Sequence, residues 1–510
     1  MAELEPFDVV IVGFGPAGAV AAGLLGQAGL TVWVADKLPG VYEIPRAIAL
    51  DHEILRVFQQ LGVLDAVLPH CEPFTPSEFF GVDGQLIRRM TMVAPPYPQG
   101  HVPSMVFSQP PVERALRAAV AALPMVTVAL ATEVLSLAQD AEGVTLQARA
   151  ADGTDQTVHA RYAIACDGGA SGVRGQLGIA LDDLDFDEPW LVVDVMVNER
   201  GLVKLPATSV QYCEPDRPCT LVIGPKNHRR WEISLKPGED PVLAATPART
   251  WALLARWLTP EDGTLWRQTR YRFHALVAST WRQGRVFLAG DAAHMQPPFL
   301  GQGMCQGVRD VANLGWKLAD VLQGRVQGDA AERLLDSYGA ERSAHVRELT
   351  RRIKGVGALV CERDTVKARA RDAQLLADCG GVVKDTPRQD VLPPLSTGLL
   401  SASGGSACGS LSPQPWLLDA AGPLRMDERF GRGWRLVLGA GLASPALPDG
   451  LTGVVLGTAQ ATEQDGVLAA WLDKHQAVAA LVRPDHYVYG TAADPAGLAA
   501  LLTEWQAALH

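Results

Sequence analysis

Apolar runs of strand length and stretches of helical spacing alternate through the first part of the chain. Residues 7–12 read as a buried strand, residues 16–28 as a helix stopped by Gly29, and residues 31–35 as a second strand closed by Asp36. Between the first strand and the helix lies Gly13-Phe14-Gly15-Pro16-Ala17-Gly18. A helix is expected over 53–61 and another over 111–123, with a Pro-, Gly- and aromatic-rich stretch of strands and loops at 74–109. Alternating runs at 126–137, 144–149 and 158–165 read as a meander that ends in Cys166-Asp167-Gly168. From residue 190 to 235 the pattern turns to short strands (190–197, 209–213, 220–223, 230–235) with Pro, Gly, Asp and Asn at their junctions. That is an antiparallel sheet inserted between two halves of another domain.

A helix at 250–258 and a strand at 270–277 bring the chain to an apolar run, 285–289. The run feeds Gly290-Asp291-Ala292-Ala293-His294-Met295-Gln296-Pro297-Pro298-Phe299-Leu300-Gly301-Gln302-Gly303, and helical spacing resumes over 304–322 and again over 330–359. Residues 393–415, dense in Pro, Ser and Gly, read as a linker. Beyond it come strands at 434–438 and 454–456, a helix at 464–475, strands at 477–482 and 487–489, and a helix opened by Asp494-Pro495. This is the order of a small thioredoxin-like domain without C-x-x-C. The expected divisions are 1–180 with 279–392 for the nucleotide domain, 74–110 contributing to the substrate side, 181–278 for the inserted sheet, 393–415 for the linker and 416–510 for the last domain.

Composition narrows the classes. A chain of 510 residues is too long for one core. A net charge of −11 implies no basic surface for nucleic acid or an anionic membrane. Eight scattered cysteines without a framework argue for reduced thiols in a cytoplasm, and no His/Cys spacing suggests a metal site. Residues 9–35 carry no charge, but six glycines and Pro16 within them favour a nucleotide turn over a membrane span.

Strand, G-x-G-x-x-G, helix, strand and acid at this spacing form a dinucleotide-binding unit, in which Gly13 makes the turn, Gly15 admits the pyrophosphate, Gly18 lets helix and strand pack, and Asp36 accepts from ribose hydroxyls. FAD and NAD are not separated by this motif. Arg46 is placed either to reach a phosphate or ribose or to face solvent, and Asp167-Gly168 is either a ligand-meeting turn or a plain β-turn. The 290–303 stretch, a strand feeding Gly-Asp, two prolines and Gly-x-Gly at a helix start, is a ligand-holding turn.

Together, residues 13–18, Asp167-Gly168, Gly290-Asp291 with Pro298 and 301–303, and Leu335-Asp336-Ser337-Tyr338 with Glu341-Arg342 resemble the FAD-dependent aromatic hydroxylases (class A flavoprotein monooxygenases). Residues 42–51, 167–171, 190–194 and Arg483-Pro484-Asp485 look most like 3-(3-hydroxyphenyl)propionate hydroxylases; Asp36 stands where Glu is commoner. The resemblance implies an α/β fold: a Rossmann-like FAD domain, an inserted antiparallel β-sheet substrate domain and a C-terminal thioredoxin-like domain. It implies that Gly13, Gly15, Pro16, Ala17, Gly18, Asp36 and Lys37 hold the ADP half of FAD, that Arg46 and Gln109 contact the cofactor, and that Gly290-Asp291 meets the ribityl chain. Gly301, Gln302, Gly303 and Met304 would face the flavin pyrimidine, and Asp167 and Gly168 would lie near the phosphates and serve NAD(P)H use. The implied reaction is NAD(P)H- and O2-dependent ortho-hydroxylation of a phenol through a flavin C4a-hydroperoxide.

For the substrate, the resemblance implies contact between the Pro298 carbonyl and the phenol hydroxyl. His274 reads either as the acceptor of the phenol proton or as a structural histidine, and Arg270 and Arg272 either as partners of a substrate carboxylate or as surface charges. Gln211 and Tyr212 lie on the inserted sheet, Tyr212 with core packing as its default. The expected substrate is 3-(3-hydroxyphenyl)propionate or a similar phenol carboxylate. The alternatives are another phenol or a polyketide, a flavin oxidase or dehydrogenase without oxygen insertion, and a flavin-binding protein without turnover. The expected partners are a small aromatic phenol and neither nucleic acid nor membrane, with a homodimer as the assembly considered.

Overall fold

The computed structural model describes residues 6–509. Strand Phe7–Val12, helix Pro16–Gln27 and strand Val32–Asp36 form a crossover unit, the two strands pairing in parallel. Four consecutive buried residues, 9–12, fit a strand covered on both faces. Pro16 opens the helix behind Gly15, where its missing N–H costs nothing.

The first sheet runs Arg282–Gln283, Val286–Leu288, Asp155–Ala165, Phe7–Val12, Val32–Asp36, Val126–Leu130. Its parallel register sets Val12 beside Ala165 and Ala165 beside Leu288. The three turns that follow those residues, at Gly13, Cys166-Asp167 and Gly290-Asp291, therefore emerge side by side at the carboxyl edge, where open α/β sheets bind ligands. The expected meander divides: Val126–Leu130 pairs in parallel with Val32–Asp36 at one edge, and only Glu133–Gln139, Val144–Arg149 and Asp155–Ala165 run antiparallel.

The second sheet has nine strands, in the order His294–Met295, Gly263–Ala278, Leu181–Val197, His228–Ser234, Cys219–Ile223, Ser209–Tyr212, Ser77–Phe80, Leu86–Thr91, Asp385–Pro387. Segments on both sides of the insertion thus complete it. One face packs Leu191, Val193, Leu221, Trp231 and Ile233 with Leu254 and Leu258; the other turns toward the first domain. Helices Gly303–Leu322 and Gly328–Cys361 follow, the first lying against Pro16–Gln27. Among the described residues no helix is long and apolar enough to cross a membrane.

Helix Thr365–Asp378 has no counterpart in the sequence reading. Its run is rich in Lys, Arg and Asp and buries only Ala368 and Asp372, so it lacks an apolar stripe. Asp372 anchors it by accepting from Val82 N at 2.8 Å.

The C-terminal sheet is ordered Leu451–Val455, Trp434–Leu438, Ala479–Val482, Val488–Ala492, the first pair parallel and the others antiparallel. Trp434 meets Trp505 of helix Pro495–Leu509 at 5.5 Å between centroids and Trp316 of helix Gly303–Leu322 at 5.7 Å, which joins this unit's core to the first domain. Residues 393–415 form a packed strap on this unit: Ser401 N bonds Tyr489 O and Gly409 N bonds Val488 O, while Ala407, Ser412 and Gln414 are fully buried. Backbone pairing with a sheet edge, which composition does not reveal, explains why a Pro/Ser/Gly segment is ordered here.

Candidate active site

The nucleotide end is built by close backbone approach. Gly13 has φ +99, and a Cβ there would strike the carbonyl oxygen of Cys166. A Cβ at Gly18 would strike the Gly13 carbonyl oxygen, so the helix sits on the turn only because both residues are glycine. Gly15 caps the helix with no side-chain acceptor, leaving first-turn N–H groups free at a cavity wall made by Gly15, Pro16 and Ala17. Asp36 accepts from Phe14 N at 2.9 Å and Leu38 N at 2.8 Å, with Arg117 3.6 Å away; Lys37 beside it is exposed. Gln109 Oε1 accepts from Arg46 N and Ala47 N, which pins the 45–47 turn at the cavity mouth. Asp167 Oδ2 accepts from Val173 N at 3.2 Å, while its buried Oδ1 has no protein partner; Gly168 borders the cavity.

The Gly290-Asp291 turn is held from behind. Buried Asp310, on helix Gly303–Leu322, accepts from Gly290 N at 2.9 Å, from His294 Nε2 at 2.7 Å and from Arg342 Nε at 2.9 Å. Against burial, which pushes it up, His294 and Arg342 hold the Asp310 carboxyl below its ordinary range. His294 also stacks on Trp281, ring centroids 5.3 Å apart. Asp291, freed by this support, opens onto the cavity, and burial pushes its carboxyl upward.

Gly301 N donates to Pro298 O at 2.7 Å, leaving that carbonyl one lone pair. Gln302 turns its side chain away to accept from Arg309 at 2.8 Å, so it meets the loop's ligand through backbone alone. Gly303 and Met304 begin the helix at the cavity wall, again without a side-chain cap. Arg309 also pairs with Asp51 and Glu53 at 2.5 Å each, and Tyr487 donates to Glu53 at 2.9 Å. The loop is thereby tied to the C-terminal unit. Among the described residues no His, Cys, Asp and Glu cluster is placed to hold a metal.

Behind the loop, the cavity of about 480 Å³ extends to the second sheet. Phe273, Phe299 and Trp190 form an aromatic wall with centroids 5.6–6.4 Å apart. Beside them lie Gln211, which accepts from Thr220 Oγ1 at 2.6 Å, and Glu232. Glu232 is 6% exposed, its side chain makes no hydrogen bond among the described residues, and burial pushes its carboxyl up to about 7.

That raised value carries a sign. Folded apoprotein keeps a proton that the unfolded chain loses near 4.5, so the Glu232 contribution is full below that pH and is lost as pH rises through about 7. In urea denaturation, Glu232→Gln apoprotein is expected to gain about 3 kcal/mol over wild type above pH ~7 and almost nothing near pH ~4. Parallel pH profiles for the two proteins would show that Glu232 keeps an ordinary carboxyl.

Of the four sheet residues singled out for substrate handling, Arg272 and His274 border the cavity and Arg270 and Tyr212 do not. Register sets Val192 opposite Glu232 and Thr269, and Trp190 opposite Tyr271, all on the cavity side. Arg270 stands opposite Leu191 and belongs to the packed face, with Arg272 and His274 in the same phase. Arg272 and His274 border the cavity, yet both side chains turn to Asp187, Arg272 at 2.5 Å and His274 at 3.7 Å. Arg270 does not line it. Tyr212 accepts from Trp257 Nε1 at 3.0 Å beneath Arg256, also on the packed side. Their neighbours by one position, Gln211, Tyr271 and Phe273, belong to the phase that faces the cavity. For strands 209–212 and 228–234 a signal existed: apolar Val210, Trp231 and Ile233 mark the packed phase, so Gln211 and Glu232 take the other. In 267–274 aromatic and charged residues alternate, and neither phase declares itself.

The residues fit a dinucleotide-sized flavin cofactor on their own terms: two uncapped helix starts, the orphaned Asp167 Oδ1, a cavity-facing Gln296 with no protein partner, and glycine turns that a Cβ would fill. The family model described as FAD binding domain matches residues 6–353. The chain is 36% identical over 522 residues to a probable NADH-specific resorcinol 4-hydroxylase of Rhodococcus jostii (strain RHA1), covering 98% of this chain and 95% of that protein. It is 34% identical over 532 residues to a 3-(3-hydroxy-phenyl)propionate/3-hydroxycinnamic acid hydroxylase of Burkholderia cenocepacia (strain HI2424), covering 98% and 96%. In fold it is similar to the flavin-dependent monooxygenase PieE, solved with FAD and substrate (TM-score 0.81, 23% identity, all of both chains). It is likewise similar to aklavinone-11 hydroxylase, solved with FAD and aklavinone (TM-score 0.78, 24% identity, all of both chains).

Proposed function

Because the chain belongs to the FAD-dependent aromatic hydroxylases, we propose that it inserts one oxygen atom from O2 ortho to the hydroxyl of a phenol that carries a carboxylate side chain, at the expense of NAD(P)H. The observation that carries the reading is one continuous cavity. It runs from the Gly15-Pro16-Ala17 turn past Asp291 and Gly301 to the wall of Phe273, Gln211 and Glu232. A binding protein needs no second chamber beyond its cofactor.

FAD, when bound, takes up the reducing equivalents of NAD(P)H and activates O2 for transfer to an aromatic ring. The chain's own residues do the rest. N–H groups of the 15–17 turn meet the pyrophosphate, Asp36 accepts from the ribose, and Arg46 and Gln109 shape the mouth. Asp291 would hold the ribityl chain of FAD, and the backbone of Gly301, Gln302, Gly303 and Met304 would hold its flavin end. Asp167 and Gly168 stand by the phosphates. The remaining lone pair of the Pro298 carbonyl is available to a phenol hydroxyl, which orients the ring against Phe273 and Phe299. The same aromatic wall keeps water from the reacting carbon.

A second reading, a dihydroxybenzene substrate, is favoured by Glu232 and Gln211, whose acceptors suit a second neutral hydroxyl. Residues 416–510 are read as a thioredoxin-like domain, supported by the strand order, and a reducing cytoplasm suits eight unpaired thiols.

A panel of phenols tests the function. A phenol bearing a propionate chain is expected to accelerate NADH oxidation at least about tenfold and to yield a product heavier by one oxygen atom. Acceleration with hydrogen peroxide as the sole product would make the protein an oxidase. Selective acceleration by resorcinol would favour the second reading.

A further inference from the structure

Arg388 lies outside every segment that points to the cofactor. It opens a short 3-10 turn, Arg388–Val391, directly after strand Asp385–Pro387, which pairs with Leu86–Thr91 at the edge of the second sheet. Its side chain reaches the same cavity as Asp291, Gly301 and Glu232. One terminal nitrogen donates to Leu300 O at 3.0 Å, the other to Ser77 Oγ at 3.3 Å, and the guanidinium lies 4.2 Å above the Phe74 ring.

Its guanidinium makes no ion pair among the described residues. Arg56, Arg309, Arg342 and Arg483 are each paired with a carboxylate. Arg388 has none within ion-pair distance among the described residues; both its bonds go to neutral oxygens. Burial pushes the guanidinium down to about 10, outweighing the Asp51 carboxylate, which already pairs with Arg309 at 2.5 Å. Of five N–H donors two are used, so three remain, in the planar fork that matches a carboxylate.

The position selects what supplies the missing anion. Leu300 belongs to the loop between Pro298 and Gly301, a different segment from the glycine turn suited to a pyrophosphate. Ser77 pairs with Ser209, two residues from Gln211, so Arg388 stands beside the polar wall of the substrate chamber. Of the other arginines lining the cavity, Arg230 and Arg272 are paired with Asp194 and Asp187, Arg267 donates to Pro45 O at 2.6 Å, and Arg46 stands at the mouth. We propose that Arg388, supported by Ser77 and stacked on Phe74, binds the carboxylate of the aromatic substrate and thereby selects phenol carboxylates over neutral phenols. The proposal rests on the hydroxylase reading and places the anion site on a segment after the two long helices, not on strand Gly263–Ala278.

Holoenzyme of wild type, Arg388→Gln and Arg388→Lys is compared with two phenols, 3-(3-hydroxyphenyl)propionate and uncharged 3-ethylphenol. 3-Phenylpropionate, which has no hydroxyl to react, is titrated by its perturbation of the flavin absorbance. Arg388→Gln is expected to raise KM for the phenol propionate and Kd for 3-phenylpropionate about 30-fold, the loss of a charge-assisted bidentate contact. It should leave 3-ethylphenol within about twofold and FAD content unchanged, with Arg388→Lys recovering part of the loss. Equal loss for charged and uncharged phenols, loss of FAD, or a wild type that does not bind 3-phenylpropionate would overturn the proposal. If 3-phenylpropionate binds through Arg388 but no phenol is hydroxylated, the site stands and the hydroxylase reading fails.

Discussion

Gly18→Ala is expected to purify without flavin, with FAD affinity lowered at least about 100-fold and the apoprotein destabilised as well. The added methyl meets the carbonyl oxygen of Gly13, a backbone atom that cannot rotate aside. Gly13 is itself held by its N–H to Ala35 O at 2.7 Å and blocked from behind by the Cys166 carbonyl, so the strain passes into both neighbouring strands. Overpacking of this kind costs about 1–3 kcal/mol, and here it also moves the helix start. Gly15→Ala is the informative contrast, because a Cβ there meets no protein atom and points to the ligand side. It should lose FAD yet unfold in urea like wild-type apoprotein. The ratio of flavin to protein absorbance and the apoprotein denaturation midpoint separate the two; a yellow Gly18→Ala protein of wild-type stability would sink the packing argument.

Asp310→Ala is expected to be nearly as damaging, although that residue is buried and does not line the cavity. The change strips three donors of their acceptor at once: the Gly290 N–H, His294 and Arg342. Leaving one partner of a buried ion pair alone costs about 3–5 kcal/mol, and the turn that presents Asp291 loses its backing. Both a lower denaturation midpoint and a flavin-free preparation should follow. Because the Asp310 carboxyl is held below its ordinary value of 3.8, its stabilisation is present above that pH and fades as pH falls through the lower folded value. Asp310→Asn should remove that acid-side dependence. Full flavin content in Asp310→Ala would mean that the 290–303 stretch holds its shape unaided.

The two substitutions mark how far the sequence can be read. Gly18 belongs to a local pattern, a strand, a spaced set of glycines, a helix and an acid, and each part constrains the next through chain connectivity. Asp310 looks like one more polar residue on an amphipathic helix; its partners lie 16 to 32 positions away and only folding brings them together. The same holds for Arg483 and Asp485, which join Glu341, Lys317 and Asn313 in a buried network that docks the C-terminal unit. Arg388 carried no pattern at all. Its meaning comes from what is missing around it.

The local elements that present the cofactor-side residues were determined by the sequence alone: the glycine turn, Asp36 at its strand end, and the Gly-Asp turn leading to Gly301 and Gly303. Short-range sterics and helix ends are sufficient for that. Tertiary structure decided which strands lie side by side, and so why turns at 13, 166 and 290 open at one edge. It also decided which face of the inserted sheet sees the cavity. A strand's side chains alternate with period two, so an error of one residue exchanges the faces. Gln211, Tyr271 and Phe273 consequently line the chamber, while Tyr212 and Arg270 lie away from it and Arg272 and His274, in the same opposite phase, reach its border with their side chains turned to Asp187. Which phase is buried depends on the layer packed against it, and that layer comes from segments far away in the chain.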